Sequence, residues 1–378
     1  MAKTYEEINN KIKNGTVVVV TAEEIIRIVK EKGHKKAAQE VDVVTTGTFG
    51  AMCSSGVFLN FGHSKPKIRA TDVQINGIDA YAGIAAVDCY LGATKQRGNE
   101  KYGGGHVIEE LVAGKPVQVQ AFSSGTDCYP ATKVEKEMTL EQFPDAFLFC
   151  PRNGYQNYNC AVNLTSKTIY TYMGVLKPEM ANATYSGAGE LSPLMNDPFF
   201  LTIGVGTRIF LGGGIGYVTG PGTQHNPSPP RNERGVPVRP AGTLSVTGDL
   251  KGMSSEFLKG AFFTGYGPTL RVGLGIPIPV LNEEILNYVT ITNSDIIVPV
   301  VDYGYDYPNG VSNVIDEVTV KDIQTGEIEI KGKKTPCSQL SDIKKARKIA
   351  ELLKEWILKG DFLITKPSEN IPSSRGAA

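Results

Sequence analysis

Apolar and polar positions alternate along the first fifty residues in two distinct periods. Thr4-Tyr-Glu-Glu7 sets a hydroxyl three residues before a carboxylate, ahead of apolar Ile8 and Ile12. That is a capping box opening a helix, and Gly15 ends it. Val17–Val20 is an unbroken β-branched run of strand length. Thr21-Ala-Glu-Glu24 repeats the capping box and opens an amphipathic helix carrying Ile25, Ile26, Ile28 and Val29 that stops near Gly33. Val43–Thr46 reads as the next strand. This alternation predicts layered α/β packing at the N-terminus.

Farther along, strand-length segments dominate. They are Phe147–Cys150, Ala161–Leu164, Thr168–Met173, Phe199–Ile203 and Thr207–Leu211, then Thr243–Thr247, Thr269–Gly275 and Ile296–Val301. The Gly/Pro/Asn-rich stretch from Gly212 to Gly242 is expected to be irregular. A short helix is expected near Glu283–Tyr288. Val318–Ile323 and Glu327–Lys331 read as a hairpin turned at Gln324-Thr-Gly326. Ser341–Leu358 gives the clearest helix, with Ile343, Ala346, Ile349, Leu353, Trp356 and Ile357 on one face and Gly360 closing it. The fold class expected is mixed α+β, with a strand-rich middle and helical termini, in one domain over 1–360. A lobe boundary is placed near residue 140, with a cleft between the lobes, and residues 361–378 are taken as a flexible tail.

Composition narrows the function classes. Lys+Arg and Asp+Glu both number 39 among 378 residues, which argues against a nucleic-acid-binding or membrane-surface protein. No apolar run approaches the roughly 20 residues that span a bilayer. The polar start Met-Ala-Lys-Thr-Tyr carries no signal-peptide core, so a cytoplasmic location is expected. Six cysteines are too few for a disulfide scaffold, and none forms a C-x-x-C pair.

Nucleotide-binding glycine motifs and the common hydrolase motifs are absent. Gly212-Gly-Gly-Ile-Gly216 follows a strand and could form an anion nest, which keeps a phosphate ligand in view, with Gly213 and Gly214 as contact points. Two cysteines stand out by their neighbours. Cys53 lies in Thr45-Thr-Gly-Thr-Phe-Gly-Ala-Met-Cys-Ser-Ser-Gly56, and Cys128 in Ser123-Ser-Gly-Thr-Asp-Cys-Tyr-Pro130. Small, hydroxylated and glycine flanks expose backbone N–H groups, which favour a thiolate, whereas Asp127 would act the other way. Cys89 and Cys150 read as core residues, Cys160 is ambiguous and Cys337 peripheral. His63 and His225, in glycine-rich loops, are candidate acid/base groups. Arg231, Arg234 and Arg239 follow the His225 loop, and Arg208 precedes it. A guanidinium there would suit a substrate carboxylate.

The Cys53 and Cys128 segments, Gly206-Thr-Arg-Ile-Phe-Leu-Gly-Gly-Gly-Ile-Gly-Tyr217 and Gly222-Thr-Gln-His225 together resemble the homocysteine biosynthesis family, the L-aspartate semialdehyde sulfurtransferases of anaerobic microbes. The resemblance runs from about Tyr5 to Leu358 and fits a short form without the C-terminal CBS domains some members carry. It implies reductive sulfur insertion, L-aspartate 4-semialdehyde becoming homocysteine, on the route to methionine. It implies a persulfide on one of two cysteines, matching Cys128 as carrier and Cys53 as partner or the reverse. It also implies a sulfide or persulfide donor and a ferredoxin-like electron-transfer partner. Further expectations are His225 or His63 protonating the departing oxygen, and Arg208, Arg231 or Arg234 holding the carboxylate. Two alternatives stay open: an iron–sulfur cluster on Cys53, Cys128 and Cys160, and a non-catalytic sulfur carrier or scaffold. A homodimer is the expected assembly.

Overall fold

The computed structural model describes residues 2–373. Both N-terminal capping boxes form, Thr4 with Glu7 and Thr21 with Glu24, and they start helices Tyr5–Lys13 and Ala22–Lys32. A further short helix, His34–Glu40, follows Gly33. Strands Val19–Thr21 and Val43–Thr45 then pair in parallel, in line with the α/β layering that the alternating pattern predicted, and Pro277–Pro279 adds an antiparallel neighbour.

The middle of the chain builds a large antiparallel sheet. Its order is Leu258–Phe263, Gly267–Gly275, Arg208–Leu211, Gly214–Pro221, Leu244–Asp249, Asp145–Asn153, Gly56–Asn60 and Asp88–Gly92, with Thr48–Ala51 also pairing to Gly267–Gly275. Alternate residues of its strands are fully buried: Val57 and Leu59, Ala146, Leu148 and Cys150, Leu270, Val272 and Leu274. A second, mixed sheet runs Val314–Thr319, Ile297–Asp302, Cys160–Val162, Ala183–Tyr185, Lys333–Gln339, Glu327–Ile330, and encloses its own apolar core. A third sheet holds Ile78–Ala80, Asp72–Ile75, Val117–Phe122 and Lys133–Met138. The expected mixed α+β class with a strand-rich middle is what the molecule shows.

Helix Ile343–Leu358, capped by the Asp342 carboxylate on the Lys345 N–H, buries Ala346, Ile349, Leu353 and Ile357. It crosses so close to the main sheet that a Cβ on Gly47 would meet the Ala346 carbonyl oxygen at 2.2 Å. Glycine at 47 therefore sets the depth at which strand Thr48–Ala51, and Cys53 beyond it, lies.

Several local expectations are corrected. Phe199–Ile203 is bends and turns, because the buried Asp197 carboxylate accepts the N–H groups of Leu201, Thr202 and Ile203 and folds the segment around itself. Residues 214–221 are a regular strand rather than part of a long irregular loop. Val320–Gln324 is a helix started by the Thr319/Asp322 capping box. The hairpin instead joins Glu327–Ile330 to Lys333–Gln339 across Lys331 and Gly332, both at positive φ. Residues 361–373 pack: Phe362, Ile364 and Ile371 are buried, and Glu369–Asn370 pairs with Gly204–Val205. Residues 374–378 of the expected tail lie outside the described residues. No helix among the described residues is long and apolar enough to cross a membrane.

Candidate active site

Cys53 lies in a tight turn between strands Thr48–Ala51 and Gly56–Asn60. Three anchors fix that turn. The Met52 N–H donates to the Leu270 carbonyl at 2.8 Å and the Ser54 hydroxyl to the Arg152 carbonyl at 2.9 Å, while the Ser55 hydroxyl meets Cys150 Sγ at 3.0 Å. The thiol itself accepts the Thr269 hydroxyl at 3.3 Å. Two neighbouring strands, Asp145–Asn153 and Gly267–Gly275, therefore hold one half-buried sulfur in a fixed direction.

That sulfur faces a cavity of about 340 Å³, within the roughly 300–1,000 Å³ typical of small-molecule sites. Among the described residues its lining contains no Asp, Glu or His. Its ionisable groups are Cys53, Arg152, Tyr155, Tyr158, Tyr172 and Tyr266, accompanied by Ser186, Ser192 and Ser341. Arg152 is the one cation among the described lining residues. Next to it Asn153 is almost wholly buried, and beyond a contact with the Cys150 thiol its amide has no hydrogen-bond partner among the described residues. An unsatisfied buried amide is costly unless a ligand or water completes it.

The phenols form a connected wall. Tyr158 and Tyr172 share a hydrogen bond of 2.5 Å, and Tyr172 reaches the Tyr303 hydroxyl at 3.3 Å. The Tyr172 ring also meets Tyr266 edge-on at 6.0 Å and Tyr307 at 6.3 Å. Burial pushes the Tyr158, Tyr172 and Tyr303 phenols above their ordinary range, so the wall stays protonated and uncharged. The Tyr266 phenol, beside Cys53, is pushed up to about 12 by burial and by the neighbouring sulfur.

The structure places the other sequence candidates elsewhere. Cys128 is exposed in the turn between strands Val117–Phe122 and Lys133–Met138, its sulfur 3.6 Å from the Thr126 hydroxyl. The neighbouring Tyr129 ring stacks with His63 at 6.2 Å. Cys53 precedes strand Gly56–Asn60 and His63 follows it, and that strand alone is roughly 13 Å long at 3.3 Å per residue. Cys128 and Cys53 are not brought together in this conformation, and a disulfide needs Cα atoms within about 7 Å.

His225 is held structurally. Its Nδ1 accepts the Thr243 N–H at 3.1 Å, and its Nε2 lies 2.7 Å from the Pro372 carbonyl oxygen, although the adjacent Gln224 does reach the cavity. Arg208 stacks on Phe362 and the Arg231 guanidinium on Phe199. Arg231 and Arg234 line a second depression with His34, Tyr288 and Glu284, away from Cys53. Burial lowers Arg231 to about 10. Gly213 stands with Gly212 at the two-residue turn between Arg208–Leu211 and Gly214–Pro221, both at positive φ. A Cβ on Gly214 would strike the Gly252 carbonyl oxygen at 2.5 Å. The glycine run is thus a tightly packed hairpin and not a phosphate cradle.

Cys160, fully buried on the second sheet and in contact with Cys337, is held as a neutral thiol by that contact and by burial. No three His, Cys, Asp or Glu side chains among the described residues group as a metal site. Cys53, Cys128 and Cys160 therefore do not fit an iron–sulfur cluster in this arrangement. Arg152 and the tyrosines escaped the sequence reading. The signal available was the density of Arg, Tyr and Asn in Arg152-Asn-Gly-Tyr-Gln-Asn-Tyr158, directly after a strand.

A fixed thiol facing a small cavity, with one cation among the described lining residues, is an arrangement suited to thiol-based group transfer on a small anionic substrate. The chain belongs to the homocysteine biosynthesis enzyme, sulfur-incorporation family, whose sequence model matches residues 17–364. It is 50% identical over 382 residues to a protein of Methanosarcina acetivorans named L-aspartate semialdehyde sulfurtransferase, covering 100% of this chain and 73% of that one. A protein of the same name from Methanocaldococcus jannaschii is 50% identical over 381 residues, covering 96% and 72%. An uncharacterized protein of Methanothermobacter thermautotrophicus is 32% identical over 333 residues, covering 85% and 72%. No solved structure matches.

Proposed function

We propose that the cavity converts L-aspartate 4-semialdehyde to homocysteine, with Cys53 presenting the sulfur that is transferred. The observation that carries this reading is Cys53 Sγ held by Thr269 at the wall of a cavity whose single charged partner is Arg152. The guanidinium holds the substrate carboxylate through charge-assisted hydrogen bonds. The aldehyde carbon then lies toward Cys53, the one thiol among the described lining residues.

The net reaction from sulfide is RCHO + H₂S + 2e⁻ + 2H⁺ → RCH₂SH + H₂O. Starting from a Cys53 persulfide, whose outer sulfur a persulfide donor supplies at the sulfane level, two further electrons and protons free the Cys53 thiol. A Cys53/Cys128 dithiol cannot close within one chain in this conformation, so the electrons come from an external low-potential donor, a small ferredoxin-like protein in this reading. Cys128, exposed and reachable by a protein donor, is the thiol that takes up sulfur or electrons from outside.

An anaerobic assay with aspartate semialdehyde, sulfide and a strong reductant tests the reading, comparing wild type with Cys53→Ala and Cys128→Ala. Homocysteine from wild type and none from Cys53→Ala is expected. Full activity in Cys53→Ala would remove the mechanism. Persulfide on Cys128 without any product would favour a sulfur carrier.

A further inference from the structure

The reaction releases the aldehyde oxygen as water, and that oxygen must gain a proton. Among the described residues no histidine or carboxyl group lines the cavity. His225 is engaged on both ring nitrogens by backbone groups, and His63 stacks on Tyr129 beyond the far end of strand Gly56–Asn60. The hairpin that joins Leu258–Phe263 to Gly267–Gly275 carries Tyr266 at its tip. The strand that follows supplies Thr269, which holds the Cys53 sulfur. One short segment thus fixes both the sulfur and a phenol beside it.

We propose that Tyr266 is the acid that protonates the departing oxygen, a catalytic residue at the Cys53 cavity. This rests on the sulfur-insertion reading above. Once the adduct sulfur is free of Cys53, the step is R–CH(OH)–S⁻ + Tyr266–OH → R–CH=S + H₂O + Tyr266–O⁻. The C–O bond breaks, the sulfur electron pair forms C=S, and the phenolic proton leaves with the oxygen. No electron is gained or lost in this step; the external reductant supplies two electrons before it, to cleave the S–S bond to Cys53, and two after it, to reduce the thioaldehyde. Tyr266 is 43% exposed, so its phenolate recovers a proton from solvent. Burial and the sulfur hold the phenol in its protonated form at neutral pH. The groups facing it are Cys53, Tyr172, Tyr307 and, as the one cation, Arg152.

The test is steady-state homocysteine formation by Tyr266→Phe, alongside its thermal unfolding and the rates of Cys53 alkylation and persulfidation. Expected is a kcat lower by roughly 100-fold, with KM within about threefold of wild type and the Cys53 rates unchanged. A kcat within about threefold of wild type overturns the assignment, as does a loss that merely follows slowed Cys53 persulfidation. As a second probe, fluorotyrosine placed at 266 has a more acidic phenol. It should move the alkaline fall of kcat toward neutral pH, whereas fluorotyrosine at exposed Tyr217 should not. An unmoved limb overturns the assignment. Wild type making no homocysteine brings down the underlying reading, whereas active wild type with equally active Tyr266→Phe brings down only this one.

Discussion

Cys53 is accessible and held by a hydrogen bond from Thr269 on a neighbouring strand, whereas the exposed Cys128 meets only Thr126 of its own turn. Burial raises Cys89 to about 12 and Cys150 to about 11, the latter against a contact from the Ser55 hydroxyl. A thiol reacts as its thiolate, so these two stay inert at neutral pH. Iodoacetamide at pH 8 should label Cys53 and Cys128 in the native protein and leave Cys89, Cys150 and Cys160 unlabelled until denaturant is added, as peptide mass spectrometry would show. Removing Arg152 should weaken substrate capture. A hydrogen bond to a charged group is worth about 1.5–3 kcal/mol, so Arg152→Ala should lower kcat/KM by roughly 10- to 150-fold, mostly through KM. Arg152→Lys should recover part of it, since charge returns without the fork. The two cysteines could be singled out in the sequence because glycine and hydroxyl flanks mark turns around them. Arg152 could not, because what makes it the cavity's cation is the strand register that puts it behind Ser54. Arg231 and Arg234 drew attention by close spacing, which says nothing about the face on which a guanidinium emerges.

At the scale of elements, the positions where strands and helices touch most closely control the site. Gly47→Ala would press a methyl group onto the Ala346 carbonyl. Overpacking of this kind costs about 1–3 kcal/mol. The variant should unfold at lower urea and also show an altered Cys53 alkylation rate, because strand Thr48–Ala51 shifts with it. Asp342→Ala removes only the helix cap and should cost about 1 kcal/mol, leaving that rate unchanged. Helices were legible because their signals are local: both N-terminal capping boxes and the apolar face of Ile343–Leu358 formed where the periodicity put them. The misread segments held two local signals in conflict. Val318–Ile323 alternates like a strand, yet Thr319 and Asp322 also spell a capping box, and the box prevailed from Val320 onward. Phe199–Ile203 is apolar enough for a strand, but the Asp197 carboxylate draws its N–H groups inward. The third sheet, Asp72–Ile75 with Ile78–Ala80, Val117–Phe122 and Lys133–Met138, was not anticipated. Its polar outward faces dilute each segment's apolar content.

For the whole molecule, the described end of the chain is a structural part. Ile371 is buried, Glu369–Asn370 extends the Gly204–Val205 pairing, and the Pro372 carbonyl meets His225. Ile371→Ala should destabilise the protein by about 2–4 kcal/mol in urea unfolding while leaving Cys53 reactivity near the wild-type value. The cavity draws on residues from Thr48 to Ser341. Thr48 pairs in register with Leu274, and the Asp342 N–H bonds the Phe49 carbonyl. During synthesis, then, the turn bearing Cys53 leaves the ribosome long before the strand and helix that surround it. Its sulfur acquires the Thr269 hydroxyl only after residue 269 has been made, and the Ser341 side of the cavity only after residue 341. A chain stopped short of residue 341 holds a bare cysteine with an incomplete substrate site around it.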